Sequence, residues 1–287
     1  MRAQLPRLTD RLPLGTRGLE VSPFCLGLTS DPATIVTAYE AGINFFFVSA
    51  DMHWPLYEGT RRGLQLLFDA HPAARDEVVV AVVCYVTQPE FCWVPFEEVL
   101  EAVPQLGRIE VTLAGGSYGH EIERRLEVYR GHLETKHVGC RAIGATFHDR
   151  KAAIAPILEE RLDIAYVRYN PQHPNARLDL FPHIGTRPAR RPLVFNFKST
   201  MGHIASDADY EALGIGADYW RPHVTDHYRF VLSEPALDGI LCAFPHPRAV
   251  RDLADAMERG PMDEEDQQYL LDLGELSLGK ATVKKSA

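Results

Sequence analysis

The chain has 287 residues, 46% of them hydrophobic, and a formal net charge of −9 at pH 7. The apolar fraction suffices for a large core, while the negative charge argues against nucleic acid or an anionic membrane as partner. No apolar run approaches the roughly 20 residues that span a bilayer, and the start, MRAQLPRLTD, lacks the apolar segment of a secretory signal. The expectation is a cytoplasmic protein acting on a small molecule, with no oligomeric state readable. Five scattered cysteines, none in a Cys-x-x-Cys pair, read as reduced core thiols, and no metal is expected.

In chain order, Leu14 to Pro23 reads as a small hairpin, with glycines between two short apolar segments. Phe24–Leu28 is the first strand-like run, and Ala33–Ala41 has helical spacing. Further strand-like runs follow at Ile43–Val48, Val78–Val86, Ile109–Leu113, Cys140–Thr146, Ile164–Tyr169, Leu193–Phe197 and Gly239–Phe244. Helical patterns separate them at Thr60–Ala70, Phe96–Leu106, His120–Leu133, Arg150–Arg161, Val224–Leu232 and Arg248–Glu258. Short buried strands alternating with helices imply parallel pairing through crossovers. Eight such strands predict one α/β domain over 1–287, a (β/α)8 barrel (TIM barrel) with a short N-terminal hairpin. No Gly-x-Gly-x-x-Gly opens a first helix, which disfavours a doubly wound sheet. From Gly260 the chain reads as an acidic helix, Glu264–Leu276, then a frayed tail, Lys280–Lys285.

Polarity changes abruptly after the second run. Ser49, Asp51 and His53 fall at alternate positions, so an extended backbone would present them on one side. Thr60 is a candidate cap for the helix that follows. Two long segments, Asn170–Arg191 and Lys198–Pro222, also follow strand C-termini, where loops of this length serve as lids or binding loops. His223 and His227, four apart, would share a helix face.

The order of Leu14-Gly15, Gly18-Leu19-x-Val21-Ser22-Pro23, Gly42-Ile43-Asn44-Phe45-Phe46, Arg141-Ala142-Ile143-Gly144 and Tyr169-Asn170-Pro171 resembles the aldo-keto reductase family. The resemblance spans roughly Leu14 to Met257. It implies a (β/α)8 barrel that binds NADPH and reduces carbonyl compounds. The family's catalytic tetrad is not matched. Its aspartate corresponds to Phe47, and its tyrosine to Met52, or to Ala50 or His53 if the loop shifts. Its lysine falls at Val82–Cys84 and its histidine at Ala114–Gly116. Tyr57 would reach the site only through a changed loop.

What the resemblance implies for NADPH is mixed. Phe197 stands where an aromatic residue would stack on the nicotinamide, and Lys198, Ser199 and Gly202 form the loop that would wrap a pyrophosphate, with Arg248 as a further phosphate contact. Against this, Tyr166 replaces the amide-reading glutamine and Thr146-Phe147 a serine-asparagine pair. The remaining candidates lie at strand C-termini, which a barrel brings to one mouth: Asp51, His53, His148, Tyr57 and Tyr85 for catalysis, and Asp149, Arg168, Tyr169, Asn170 and Asn196 for the substrate. Two imidazoles with two carboxylates suit proton transfer or a divalent metal, of which proton transfer is the expectation. The expected activity is non-redox acid–base chemistry, such as elimination, isomerisation or cyclisation of a biosynthetic intermediate. An NADPH oxidoreductase with a relocated proton donor, and an inert barrel that binds a ligand or partner, stand as alternatives.

Overall fold

The structure, a computed structural model, describes residues 2–116, 119–185 and 191–279; the tail expected at Lys280–Lys285 lies outside them. Strands β1 (Leu12–Leu14) and β2 (Leu19–Val21) pair antiparallel as the N-terminal hairpin. Eight parallel strands follow: β3 (Phe24–Leu28), β4 (Phe45–Ser49), β5 (Val79–Cys84), β6 (Val111–Ala114), β7 (Ala142–Phe147), β8 (Ile164–Arg168), β9 (Leu193–Phe197) and β10 (Gly239–Ala243). They close into a barrel because β10 pairs with β9 (Gly239 opposite Phe195) and with β3 (Ile240 opposite Phe24). The expected (β/α)8 architecture is thus the observed one.

The helices depart from expectation where local chemistry intervenes. The helix after β4 begins at Glu58, so Thr60 lies inside it, and its hydroxyl donates to the Gly27 carbonyl instead of capping. The predicted Arg150–Arg161 helix shrinks to a 3-10 turn, Lys151–Ala153, and a short helix, Ile154–Leu158. The helix Val94–Ala102 ends before Pro104, which lacks the N–H needed to continue it. The segment after β8 carries two helical turns, Ala176–Asp179 and Phe181–Ile184. Among the described residues no helix is long and apolar enough to cross a membrane, and all five cysteines are free and buried.

Inside the barrel, aromatic side chains from β4, β8 and β9 form a column along the axis. Phe45 meets Phe195 edge-on at 5.7 Å, Phe195 meets Tyr166 at 5.8 Å, Tyr166 meets Phe47 at 5.6 Å, and Phe47 meets Tyr57 at 6.0 Å. Such pairs contribute about 0.5–1.5 kcal/mol each beyond their burial. The column fills the barrel up to its C-terminal end.

At the opposite end, acidic residues that precede strands finish the ladder of the neighbouring strand. Glu110 accepts from Val80 N–H at 2.9 Å, Asp163 from Ile143 N–H at 2.9 Å and Asp238 from Val194 N–H at 2.8 Å. Each supplies an acceptor where the register runs out. Glu110, 1% exposed, also takes Arg75 and Arg108, both at 2.7 Å. Removing one partner of such a buried group leaves uncompensated charge. Glu110→Ala should cost about 3–5 kcal/mol by guanidinium denaturation and Glu110→Gln distinctly less; equal small losses would refute the role given to this carboxylate.

Candidate active site

Above the aromatic column, at the C-terminal mouth, lies a cavity of about 400 Å³. Phe47 and Tyr166 form its floor. His53, Tyr57, Tyr85, His148, Phe197 and Lys198 contribute to its wall, with Ser199, Thr200 and Tyr228 beside them. Barrel closure makes neighbours of residues far apart in sequence: β4 and β7, which carry His53 and His148 just past their ends, stand three strands apart in the ring and face one cavity.

The segment after β4 is a 3-10 helix, Asp51–Tyr57, rather than extended chain. At about three residues per turn, positions two apart diverge, so Asp51 and His53 do not share a side. Asp51 adopts φ +56 and its carboxylate takes two backbone N–H groups, Tyr85 and Met52, both at 2.6 Å. It lines an outer groove with Trp54 and Pro95, away from the mouth cavity. The Asp51–His53 pair expected from alternation is therefore absent; the carboxylate instead fixes the end of β5 beneath Tyr85. His53 packs against Tyr85 at 4.5 Å between centroids, the rings tilted 53°. Its Nδ1 is buried without a hydrogen-bond partner, and the ring lines the cavity. The same short helix returns Tyr57 to the barrel axis against Phe47, supplying the changed loop that Tyr57 required. Burial raises the Tyr57 phenol above its ordinary range, with Tyr85 and Cys25 adding to the effect.

Across the mouth, His148 packs edge-on against Phe197 at 5.0 Å. Burial holds its pKa below the usual imidazole value, and the charges of Lys198 and Arg168 lower it further. Asp149 does not pair with it, because its carboxylate accepts from Lys151 N–H at 3.1 Å and starts the next turn. Several residues expected at the substrate instead build the scaffold. Buried Asn196 donates to the Tyr169 carbonyl at 2.5 Å and accepts from the Ser199 hydroxyl. Buried Asn170 donates to the Lys198 carbonyl at 2.9 Å. Tyr169 turns into the helical layer, stacked on Phe230 at 5.3 Å. Arg168, the next residue down the strand, is half-buried beside His148.

Lys198 has φ +59. Its carbonyl also accepts from Met201 N–H at 3.2 Å, closing a turn that places Ser199 and Thr200 on the cavity wall. Gly202, at φ +91, packs so tightly on Gln172 that a Cβ would come within 2.6 Å of it. Arg248 lies on an outer helix, 77% exposed and paired with Asp252 at 3.6 Å. His223 caps the helix Val224–Leu232 rather than sharing a face with His227, which is buried against His203. Among the described residues no three His, Cys, Asp or Glu side chains gather as a metal site. Not singled out from the sequence were Phe47 and Tyr166 as the floor, although their inward alternation on β4 and β8 marks it. Tyr228 comes from a helix and carried no such signal.

The positions of the missing tetrad have structural substitutes. Phe47 is 3% exposed and packs on Tyr57 and Tyr166; Val83 is fully buried. A Cβ on Gly115 would come within 2.7 Å of the Tyr85 ring and 2.8 Å of Val83, so Tyr85 fills the room that a side chain there would need. For NADPH, the turn at Lys198–Met201 suits an anionic group. The nicotinamide end does not fit. Tyr166 sits fully buried with its hydroxyl 3.5 Å from Cys25 Sγ, Phe147 is 1% exposed, and no side-chain amide lines the cavity among the described residues.

No protein-family profile matches the sequence, and no curated protein matches it. Solved structures do. An aldo-keto reductase from Bacillus halodurans, in its holo form, superimposes with a TM-score of 0.67 at 15% identity, covering 96% of this chain and 99% of its own. Glycerol dehydrogenase from Gluconobacter oxydans gives 0.64 at 13%, covering 97% and 99%. These similarities establish the fold: the barrel is that of the solved aldo-keto reductases.

The contact at Gly115 is testable by a double-mutant cycle. Gly115→Ala should cost about 1–3 kcal/mol by overpacking. In a Tyr85→Ala background the same change should cost distinctly less, the remainder coming from the Val83 contact. Additive losses in chemical denaturation would show that Tyr85 does not occupy that space.

Proposed function

We propose that this chain is a divergent aldo-keto-reductase-like barrel enzyme that performs non-redox acid–base chemistry on a small molecule held in the mouth cavity. One observation carries the reading. Two imidazoles, His53 and His148, enter the cavity wall from strands three apart in the ring, while the phenols that line it, Tyr57, Tyr85, Tyr166 and Tyr228, are all raised by burial with no cation among the groups acting on them. A reductase needs such an acid tuned downward by neighbouring charge to protonate an alkoxide. An elimination, isomerisation or cyclisation needs instead a base on one face of the substrate and an acid on another.

His148 suits the base. Its depressed pKa keeps it neutral at pH 7, with its lone pair available toward the cavity. His53 suits the returning acid, seated against Tyr85. The aromatic floor excludes water from beneath the substrate and lengthens the life of a charged intermediate. A second reading, an NADPH-dependent oxidoreductase with Tyr57 as proton donor, draws on the likeness to solved reductases and on Tyr57 reaching the cavity.

A screen of small biosynthetic acids and carbonyl compounds by mass spectrometry separates the two. The expected product has the substrate's mass or differs by one water, with the nicotinamide absorbance unchanged. Product two hydrogens heavier, formed as NADPH is consumed, would overturn the proposal. With the substrate in hand, His53→Gln and His148→Gln should each lower kcat/KM by about 10²–10⁴. Because the base must be neutral and its pKa lies below 6.5, the acidic limb of the kcat/KM profile should also fall below pH 6.5. An acidic limb well above pH 7 would remove His148 from that role.

A further inference from the structure

The mouth cavity is lined by His53, His148 and Lys198, yet no aspartate or glutamate lines it among the described residues. This is unexpected in a chain with 39 acidic against 30 basic residues. Acids on the His148 side are engaged elsewhere. Asp179 holds Arg150 through hydrogen bonds of 3.1 and 2.6 Å, and Asp149 accepts from Lys151 N–H. Among the described ion pairs neither Lys198 nor Arg168 has a carboxylate partner, and Arg168 Nε is buried without an acceptor. The buried Arg168 Nε carries a desolvation cost, while Lys198 is exposed and free to turn toward a ligand. The backbone reinforces the pattern: Lys198 is held at φ +59 by Asn170 and by its own turn, in a conformation that a side chain rarely adopts without surrounding support.

We propose that the ligand is an anion whose carboxylate or phosphate seats on Lys198 beside His148, with Arg168 adding positive charge from behind the cavity wall, while its uncharged part lies over Phe47 and Tyr166. The word substrate for that ligand rests on the acid–base reading above; the anion site itself does not. Lys198 supplies a charge-assisted donor, Arg168 a second positive charge close to His148, and the backbone N–H groups of Ser199 and Thr200 begin the turn on the Lys198 wall. Seating an anion there has a chemical consequence. The groups around His148 are Lys198 from the β9 loop, Arg168 from β8, and Arg150 with its partner Asp179, with Asp149 adjacent in the chain. An anion offsets the positive members of this set and raises the proton affinity of His148, so ligand binding itself strengthens the base.

The test uses the intact protein with inorganic phosphate or benzoate alone. Calorimetry should show saturable binding of at least one of the two, weakened about tenfold or more by Lys198→Gln and by Arg168→Gln and unaffected by Arg248→Gln on the outer helix. Proton NMR should show the His148 C2–H titrating at higher pH when the anion is present, and this shift should vanish in Lys198→Gln. Circular dichroism of each variant separates loss of the site from loss of fold. Absence of binding by both anions, or binding indifferent to Lys198 and Arg168, overturns the proposal. Displacement of phosphate by NADPH through the same two residues also overturns it, because the cations then hold a dinucleotide. Anion binding with turnover indifferent to His53 and His148 sustains the site and removes the acid–base reading. Turnover of a neutral substrate that depends on both histidines, without anion binding, does the reverse.

Discussion

Everything at the mouth depends on how far the aromatic column fills the barrel. A closed ring of eight strands needs inward side chains bulky enough to occupy its axis, and here Phe45, Phe195, Tyr166 and Phe47 do so edge to face. The column stops where the strands end. Whatever binds there meets an apolar floor made of Phe47 and Tyr166, and its polar contacts come from the wall. That division places the chemistry in the loops after β4, β7, β8 and β9.

The loops in turn are held by polar side chains whose hydrogen-bonding capacity is already used. Asp51 takes two N–H groups, Asn196 ties the start of the β9 loop to the end of β8, and Asn170 holds the Lys198 carbonyl. Asp51 thereby orders the start of the segment that carries His53, and Asn170 and Asn196 order the turn that carries Lys198. A side chain saturated by backbone contacts has nothing left to offer a ligand. The useful distinction at this mouth is therefore between polar groups that are satisfied, such as Asn196, and those that are not, such as Arg168.

Much of the fold was legible in the sequence because strand and helix periods differ, and buried parallel strands are short apolar runs. Phe24–Leu28 and Leu193–Phe197 keep their expected bounds. The site was less legible, for a reason visible at Asp51. Alternation assigns sides only in extended chain, and a single residue at positive φ followed by a 3-10 helix rotates its successors. The motif after β4 looked extended because its polar residues alternate; Pro55 and the docking of the next helix against Gly27 decided otherwise. Strand-end residues Tyr169 and Asn196 were legible in position but not in direction, since side-chain capacity is set by neighbours distant in sequence.

The packing of Tyr85 over Gly115 constrains the routes by which such a barrel can change its chemistry. A histidine at 115, where the resemblance places the reductase histidine, collides with a ring that is itself packed against His53. Tyr85 must shrink first, and its loss strips His53 of its support. The two states of the mouth are thus separated by an intermediate that has neither arrangement. Residues 85 and 115 form an epistatic pair, in which the order of substitution matters more than either substitution alone.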